Sequence, residues 1–167
     1  MLNIRRATAA DAEIIATLVR ELADYEKLLH EAKASADDFR RELADDPAGE
    51  PGNGPIIHVL IAEWNGEPVG FALYFFSFST FVGRRGLYLE DLFVRPAMRG
   101  QGIGRALLRA LARIARDRGC GRMEWAVLDW NEPALGFYQT LGARRMTEWI
   151  VHRLTAVEIG RLAEESP

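Results

Sequence analysis

A chain of 167 residues, 49% hydrophobic and 27% charged, has about the size of one globular domain, and that composition excludes a disordered reading. A net charge of −3 argues against a broad nucleic-acid footprint, and a lone cysteine, Cys120, excludes an internal disulfide framework and makes a reducing, cytoplasmic setting the expectation. There is no apolar leader and no apolar run of about 18 residues, so no membrane partner is expected, and residues 1–167 are read as a single domain.

Residues 3–7 read as a short strand. Thr8 with Asp11 three later has capping-box spacing, and Ile14, Ile15, Leu18, Val19 and Leu22 recur behind it at helical intervals. Ser35 with Asp38 repeats the start signal for a second helix, whose apolar side is Phe39 and Leu43. "DDPAGEPGNGP", residues 45–55, is a breaker-rich loop. "IIHVLIAEW" and "PVGFALYFFSF" flank Asn65-Gly66, the pair favoured by a two-residue hairpin turn with positive φ, so two antiparallel strands are expected. "LYLEDLFV", residues 87–94, reads as a further strand, in which the pleat sends the adjacent Glu90 and Asp91 to opposite faces. A helix to about Arg118 follows, then a strand "MEWAVLDW", a short helix "EPALGFYQTLG", a final strand "ARRMTEWIVHRL", and a last helix opened by Thr155 with Glu158. This order describes a mixed α/β fold, one mixed sheet with helices on its faces.

Between strand and helix lies "RGQGIG", Arg99 to Gly104, where glycines at 100, 102 and 104 leave backbone N–H groups unobstructed at a helix start. Two readings stand there: a plain strand-to-helix turn, or a cradle for an anion that the helix dipole and the planar cation of Arg99 would favour. A dinucleotide fingerprint fails in register, since Arg105 and Leu107 stand where its last glycine would be, and no Gly-Lys-Ser/Thr ending of a nucleotide-triphosphate loop exists. Along the following helix Ile103, Leu107, Ala110, Leu111 and Ile114 share one face. Arg105, Arg109, Arg113 and Arg116 share another, read as solvated surface except where Arg105 comes near a phosphate.

Arg-x-x-Gly-x-Gly at 99–104 resembles the pyrophosphate loop of the GCN5-related N-acetyltransferases. "LYLEDLFV", "DWNEPALGFYQTLGA", "IRRATAADAEII", "ELADYE" and "VGFALYFF" widen that resemblance, over most of the chain, to the spermidine/spermine and thialysine N-acetyltransferase-like subgroup. The resemblance implies a seven-stranded mixed sheet splayed between its fourth and fifth strands, here residues 87–95 and about 122–129, with acetyl-CoA in the opening and no metal. It further implies that the backbone of Leu92, Phe93 and Val94 holds the pantetheine arm. Arg99, Gly100, Gln101, Gly102, Ile103, Gly104 and Arg105 would hold the pyrophosphate, with Asn131, Pro133 and Tyr138 toward the thioester end. A homodimer, with the C-terminal strand and helix packed across the partner, comes from the resemblance alone.

The chemistry such a family performs is aminolysis. An alkyl amine with a pKa of about 10.4 is ~99.9% protonated at neutral pH, so a group must first take its proton. Glu90 is the candidate, acting through water and attracting the cation, and Tyr138 is the candidate acid for the departing thiolate. The plain alternatives are that Glu90 pairs with an arginine and Tyr138 simply packs; Asp91 is assigned to a structural pair or a strand bulge. Tyr25 and Glu26, with Glu21, Asp24, Glu31, Trp125 and Asp129, are the candidate wall for the amine, and Trp130 flanks the same expected cleft. "TEWIVHRL" carries Glu148 but Ile150 where polyamine enzymes have a second glutamate, so thialysine or a short diamine is as strong an expectation as spermidine or spermine. His30, His58, His152 and Cys120 form no metal-ligand spacing. The expected activity is transfer of acetyl from acetyl-CoA to a small primary amine by direct attack. The rival readings are a protein N-terminal or lysine acetyltransferase, a non-catalytic coenzyme-A-binding module and, more remotely, a nucleic-acid-binding regulator.

Overall fold

The computed structural model describes residues 1–43 and 56–165, so the expected loop at 45–55 lies outside the described residues. They fall into two compact units, Met1–Ala126 and Val127–Pro167.

The first unit is built on a five-stranded sheet in chain order: β1 (Leu2–Arg6), β2 (His58–Trp64), β3 (Glu67–Ser79), β4 (Arg84–Val94) and β5 (Arg122–Trp125). The first four pair antiparallel and β5 joins β4 in parallel. Asn65 and Gly66, at φ +53° and +89°, make the tight β2–β3 turn that their pairing anticipated. Helix α1 (Ala12–Tyr25) buries Ala12, Ile15, Leu18 and Leu22, while α2 (Ala36–Leu43) adds Phe39; both pack with Val59, Ile61, Phe71, Leu73 and Phe93 in one core. The start of α1 is secured by Asp11, whose carboxylate accepts from the Thr8 N–H at 2.8 Å and takes both Nη groups of Arg5, at 2.7 and 3.0 Å. Arg5 Nε also donates to Glu63 on β2 at 2.6 Å, joining strand, neighbour strand and helix start. The alternate residues of β2 and β3, Leu60, Ala72 and Tyr74, are buried on the opposite face, which α3 (Ile103–Asp117) covers. Its buried residues are Ile103, Leu107, Leu108, Leu111 and Ala115, so the apolar stripe is turned slightly from Ala110 and Ile114. The four arginines of its outer face are exposed as expected.

In the second unit α4 (Glu132–Gln139) and α5 (Ala156–Ala163) are the regular elements, and Thr155 caps α5 through Glu158. Three expectations are corrected. Five strands are observed among the described residues where seven were implied, and residues 143–154, expected as a final strand, form none. A strand exists only by pairing, and no described strand lies against this segment; alternation alone supplied the expectation. The strand expected to about 129 also stops at Trp125.

Candidate active site

Strand β4 does two things that period-two reasoning misses. Leu73 pairs with Asp91, and the next residue, Tyr74, pairs with Leu89, so Glu90 is the extra residue of a bulge. Paired residues share a face and consecutive ones do not. Hence Leu87 and Leu89 lie on one face, while Asp91 and Phe93 lie on the face of α1. The simple alternation expected for Glu90 and Asp91 is thereby replaced by a change of parity at Glu90. Second, pairing of β4 with β5 runs only from Gly86 opposite Arg122 to Leu89 opposite Trp125, and from Glu90 to Val94 no described strand pairs on that edge. The Phe93 carbonyl oxygen faces β3, where a Cβ at Gly70 would come within 2.5 Å of it. Leu92 and Val94, on either side, therefore turn their peptide groups to the open edge.

Beyond Val94 the chain passes a short 3-10 turn, Pro96–Met98, and reaches Gly100 and Gly102 at φ +77° and +78°, with Gly102 capping α3. Left-handed backbone at both positions explains the glycines; Gly104 is already helical. Ala106 N–H reaches back to the Gly102 carbonyl at 2.9 Å, which opens the helix ladder; the first-turn N–H groups of a helix lie ahead of that ladder. A strand edge with open amide groups running into such a turn fits coenzyme A: Leu92 and Val94 would pair with the pantetheine amides, and Gly102, Ile103, Gly104 and Arg105 would receive the diphosphate. Gln101, exposed between the glycines, bridges them.

Arg99 is engaged within the protein. Its Nε donates to the Val94 carbonyl at 3.0 Å, and its guanidinium carbon lies 4.1 Å over the Tyr25 ring. Tyr25 ends α1 and Glu26 caps it, both half-buried; burial pushes the Glu26 carboxyl above its ordinary range. Glu21 does not join them as an acidic wall, because Arg95 holds it with two hydrogen bonds of 2.7 and 2.8 Å. Asp24 and Glu31 are exposed, Glu31 beside His30.

Asp91 lacks the structural pair expected of it: among the described residues of Met1–Ala126 no cation pairs with it. Burial chiefly, with Glu90 and Glu26 adding to it, raises its carboxyl to about 7. Glu90 is exposed and likewise has no arginine partner among the described residues of this unit. The signal in the sequence was the acidic pair itself inside the apolar run 87–94, which contains no basic residue. Trp125, half-buried, closes β5.

In the second unit Asn131 is buried and caps α4, its Oδ1 accepting from the Ala134 N–H at 3.3 Å. Pro133 sits in the first turn of that helix, Tyr138 packs its ring tilted against Phe137 at 5.5 Å, and Asp129 and Trp130 are exposed. His58 packs tilted against the Tyr74 ring and edge-on to Phe76, and burial holds it below its ordinary pKa. Among the described residues no group of three or more His, Cys, Asp or Glu side chains is placed to hold a metal, and no helix is long and apolar enough to cross a membrane.

Beside the open β4 edge and the left-handed glycine turn stands a family match: the model described as Acetyltransferase (GNAT) family matches residues 17–143. The chain belongs to that family of N-acetyltransferases. It is 44% identical over 153 residues to a thialysine N-epsilon-acetyltransferase of Sus scrofa, covering 87% of this chain and 85% of that one. A protein of the same name from Mus musculus is 39% identical over 172 residues, covering 96% of each. Among solved structures, an integron cassette protein from the mobile metagenome of V. cholerae superposes with a TM-score of 0.78 at 28% identity, over 98% of both chains.

Proposed function

We propose that this protein transfers acetyl from acetyl-CoA to the side-chain amine of a small, thialysine-like amino acid or short diamine, by direct attack. The observation that carries the reading is on one strand: β4 bears two carboxylates, Glu90 and Asp91, that no cation among the described residues of their unit neutralises, and then delivers the glycine turn. The names of the relatives support the amine class, and a family match running from residue 17 to 143 supports both units serving one N-acetyltransferase domain.

Acetyl-CoA supplies the acetyl thioester, whose carbon bonds to the amine nitrogen as the carbon–sulfur bond breaks. Asp91 and Glu90, with Glu26 behind them, attract the ammonium and prefer it to a neutral competitor. Glu90 relays the ammonium proton through water. Asp91, titrating at about 7, is matched to hold that proton at neutral pH, where an ordinary carboxylate is a poor acceptor. The first-turn N–H groups of α3 and the edge groups of Leu92 and Val94 fix the coenzyme. Tyr138 gives its hydroxyl proton to the departing thiolate, which eases departure without being obligatory, since a thiol's pKa of about 8.5 already lies below a phenol's of about 10.

Trp149, Ile150, Val151, Leu154, Val157, Ile159 and Leu162 are all exposed, Ile150 and Val151 by 79% and 82%. A second copy of the chain is the proposed cover, offering residues 143–154 the strand partner they lack. A reducing, cytoplasmic setting accords with the single free cysteine.

The test is thiol release from acetyl-CoA against thialysine, putrescine, spermidine and a lysine peptide. Turnover is expected with thialysine or the short diamine; turnover confined to the peptide would reject the small-amine reading.

A further inference from the structure

The segment that leaves β4 grips α1 twice. Arg95 takes Glu21 through two hydrogen bonds and donates a third, at 2.8 Å, to the Pro68 carbonyl. Four residues later Arg99 lies 4.1 Å over Tyr25, which is four residues beyond Glu21 on the same helix. Positions i and i+4 share a helical face, so the two arginines flanking the 3-10 turn, Pro96–Met98, meet two successive positions of one stripe on α1. The second rung differs from the first. It joins the glycine turn to a ring, and the same guanidinium donates to the Val94 carbonyl at 3.0 Å and reaches within 6.0 Å of the buried Phe93 ring. Only a planar cation satisfies ring face and carbonyl at once, which lysine cannot do.

We infer that Arg99 is a positioning residue for the amine rather than an anchor for the diphosphate: it ties the coenzyme turn to Tyr25 and Glu26, so that a seated coenzyme and a bound amine strengthen each other. The inference rests on Tyr25 and Glu26 forming part of the amine wall. Any movement of the turn as the diphosphate settles is carried through the Arg99 fork to the end of α1, where Glu26 adds to the field on Asp91. Binding energy shared in this way is reciprocal.

The experiment measures KM for thialysine and calorimetric Kd for coenzyme A in Arg99→Leu, Tyr25→Leu, their double variant, Arg99→Lys and Tyr25→Phe, with melting curves to confirm folding. Losing one exposed cation–ring contact predicts a rise in amine KM of about fivefold in Arg99→Leu and in Tyr25→Leu, with the double variant no worse than either. Tyr25→Phe keeps the ring and keeps KM near the parent value, and Arg99→Lys recovers part of the loss. Coenzyme Kd changes less than about twofold in Tyr25→Leu. Multiplying effects in the double variant, or an Arg99→Leu change confined to coenzyme Kd, would overturn the inference. An amine KM unmoved by Tyr25→Leu would instead remove Tyr25 from the amine wall, and the inference with it.

Discussion

At the scale of single residues the account turns on carboxylates with opposite relations to charge. Asp11 lies against the Arg5 guanidinium, which holds its carboxyl below the usual range. A depressed folded pKa contributes stability above the unfolded value of about 4, lost as pH falls through the folded pKa. Asp91 is the reverse. Its carboxyl, raised to about 7, keeps its proton in the folded state after the unfolded chain has lost it, so stability falls as pH climbs from about 4 to about 7. Asp91→Asn is therefore expected to melt higher than the parent at pH 8, with the gain shrinking toward pH 5; an equal or lower melting temperature at pH 8 would contradict the burial of an unpaired charge. In the reaction, Glu90→Gln should lose most of its turnover near neutral pH, and Tyr138→Phe should lose less, within about tenfold. Rate profiles from pH 6 to 9 read both. Full activity in Glu90→Gln would remove it from the proton path.

At the scale of elements, β4 and the turn after it carry the site. Gly102 holds φ +78°, and an L side chain there is strained by about 1–2 kcal/mol. Gly102→Ala is expected to weaken acetyl-CoA binding about fivefold or more by calorimetry and to lower the melting temperature by about 2–4 °C. Gly70→Ala acts from the other side, driving a Cβ to 2.5 Å from the Phe93 carbonyl oxygen, and should cost about 1–3 kcal/mol in denaturant unfolding. Most of these elements were legible in the sequence because local chemistry specifies them: the Thr8–Asp11, Ser35–Asp38 and Thr155–Glu158 start signals each form their side-chain to backbone bonds, and the Asn65-Gly66 turn is where its φ preference put it. A bulge was one of the two readings offered for Asp91, but its place at Glu90 was not legible. It depends on how Leu73 and Tyr74 meet β4 across the ladder, a non-local register that the composition of one strand does not encode. The contact of Arg99 was hidden for the same reason: the Tyr25 ring beneath it stands 74 positions earlier in the chain.

For the whole molecule, the family was legible because its motifs are short and contiguous, whereas residues 143–154 were not, since alternation promises a strand only where a partner ladder exists. That segment and α5 expose an apolar series that a second copy would cover. Sedimentation should accordingly show a dimer that Ile150→Asp with Val151→Asp converts to monomer, and a parent chain already monomeric at tens of micromolar would reject the pairing. The central claim is that the turn at 99–104 receives the coenzyme diphosphate through its own main-chain donors. Amide NMR of the labelled protein titrated with acetyl-CoA tests it most directly. The N–H resonances of Gly102, Ile103, Gly104 and Arg105 should move downfield by far more than those elsewhere in α3, and the same titration with free pantetheine should leave them in place. If those four amides stay still while the coenzyme binds, the diphosphate is held somewhere else and the account is wrong.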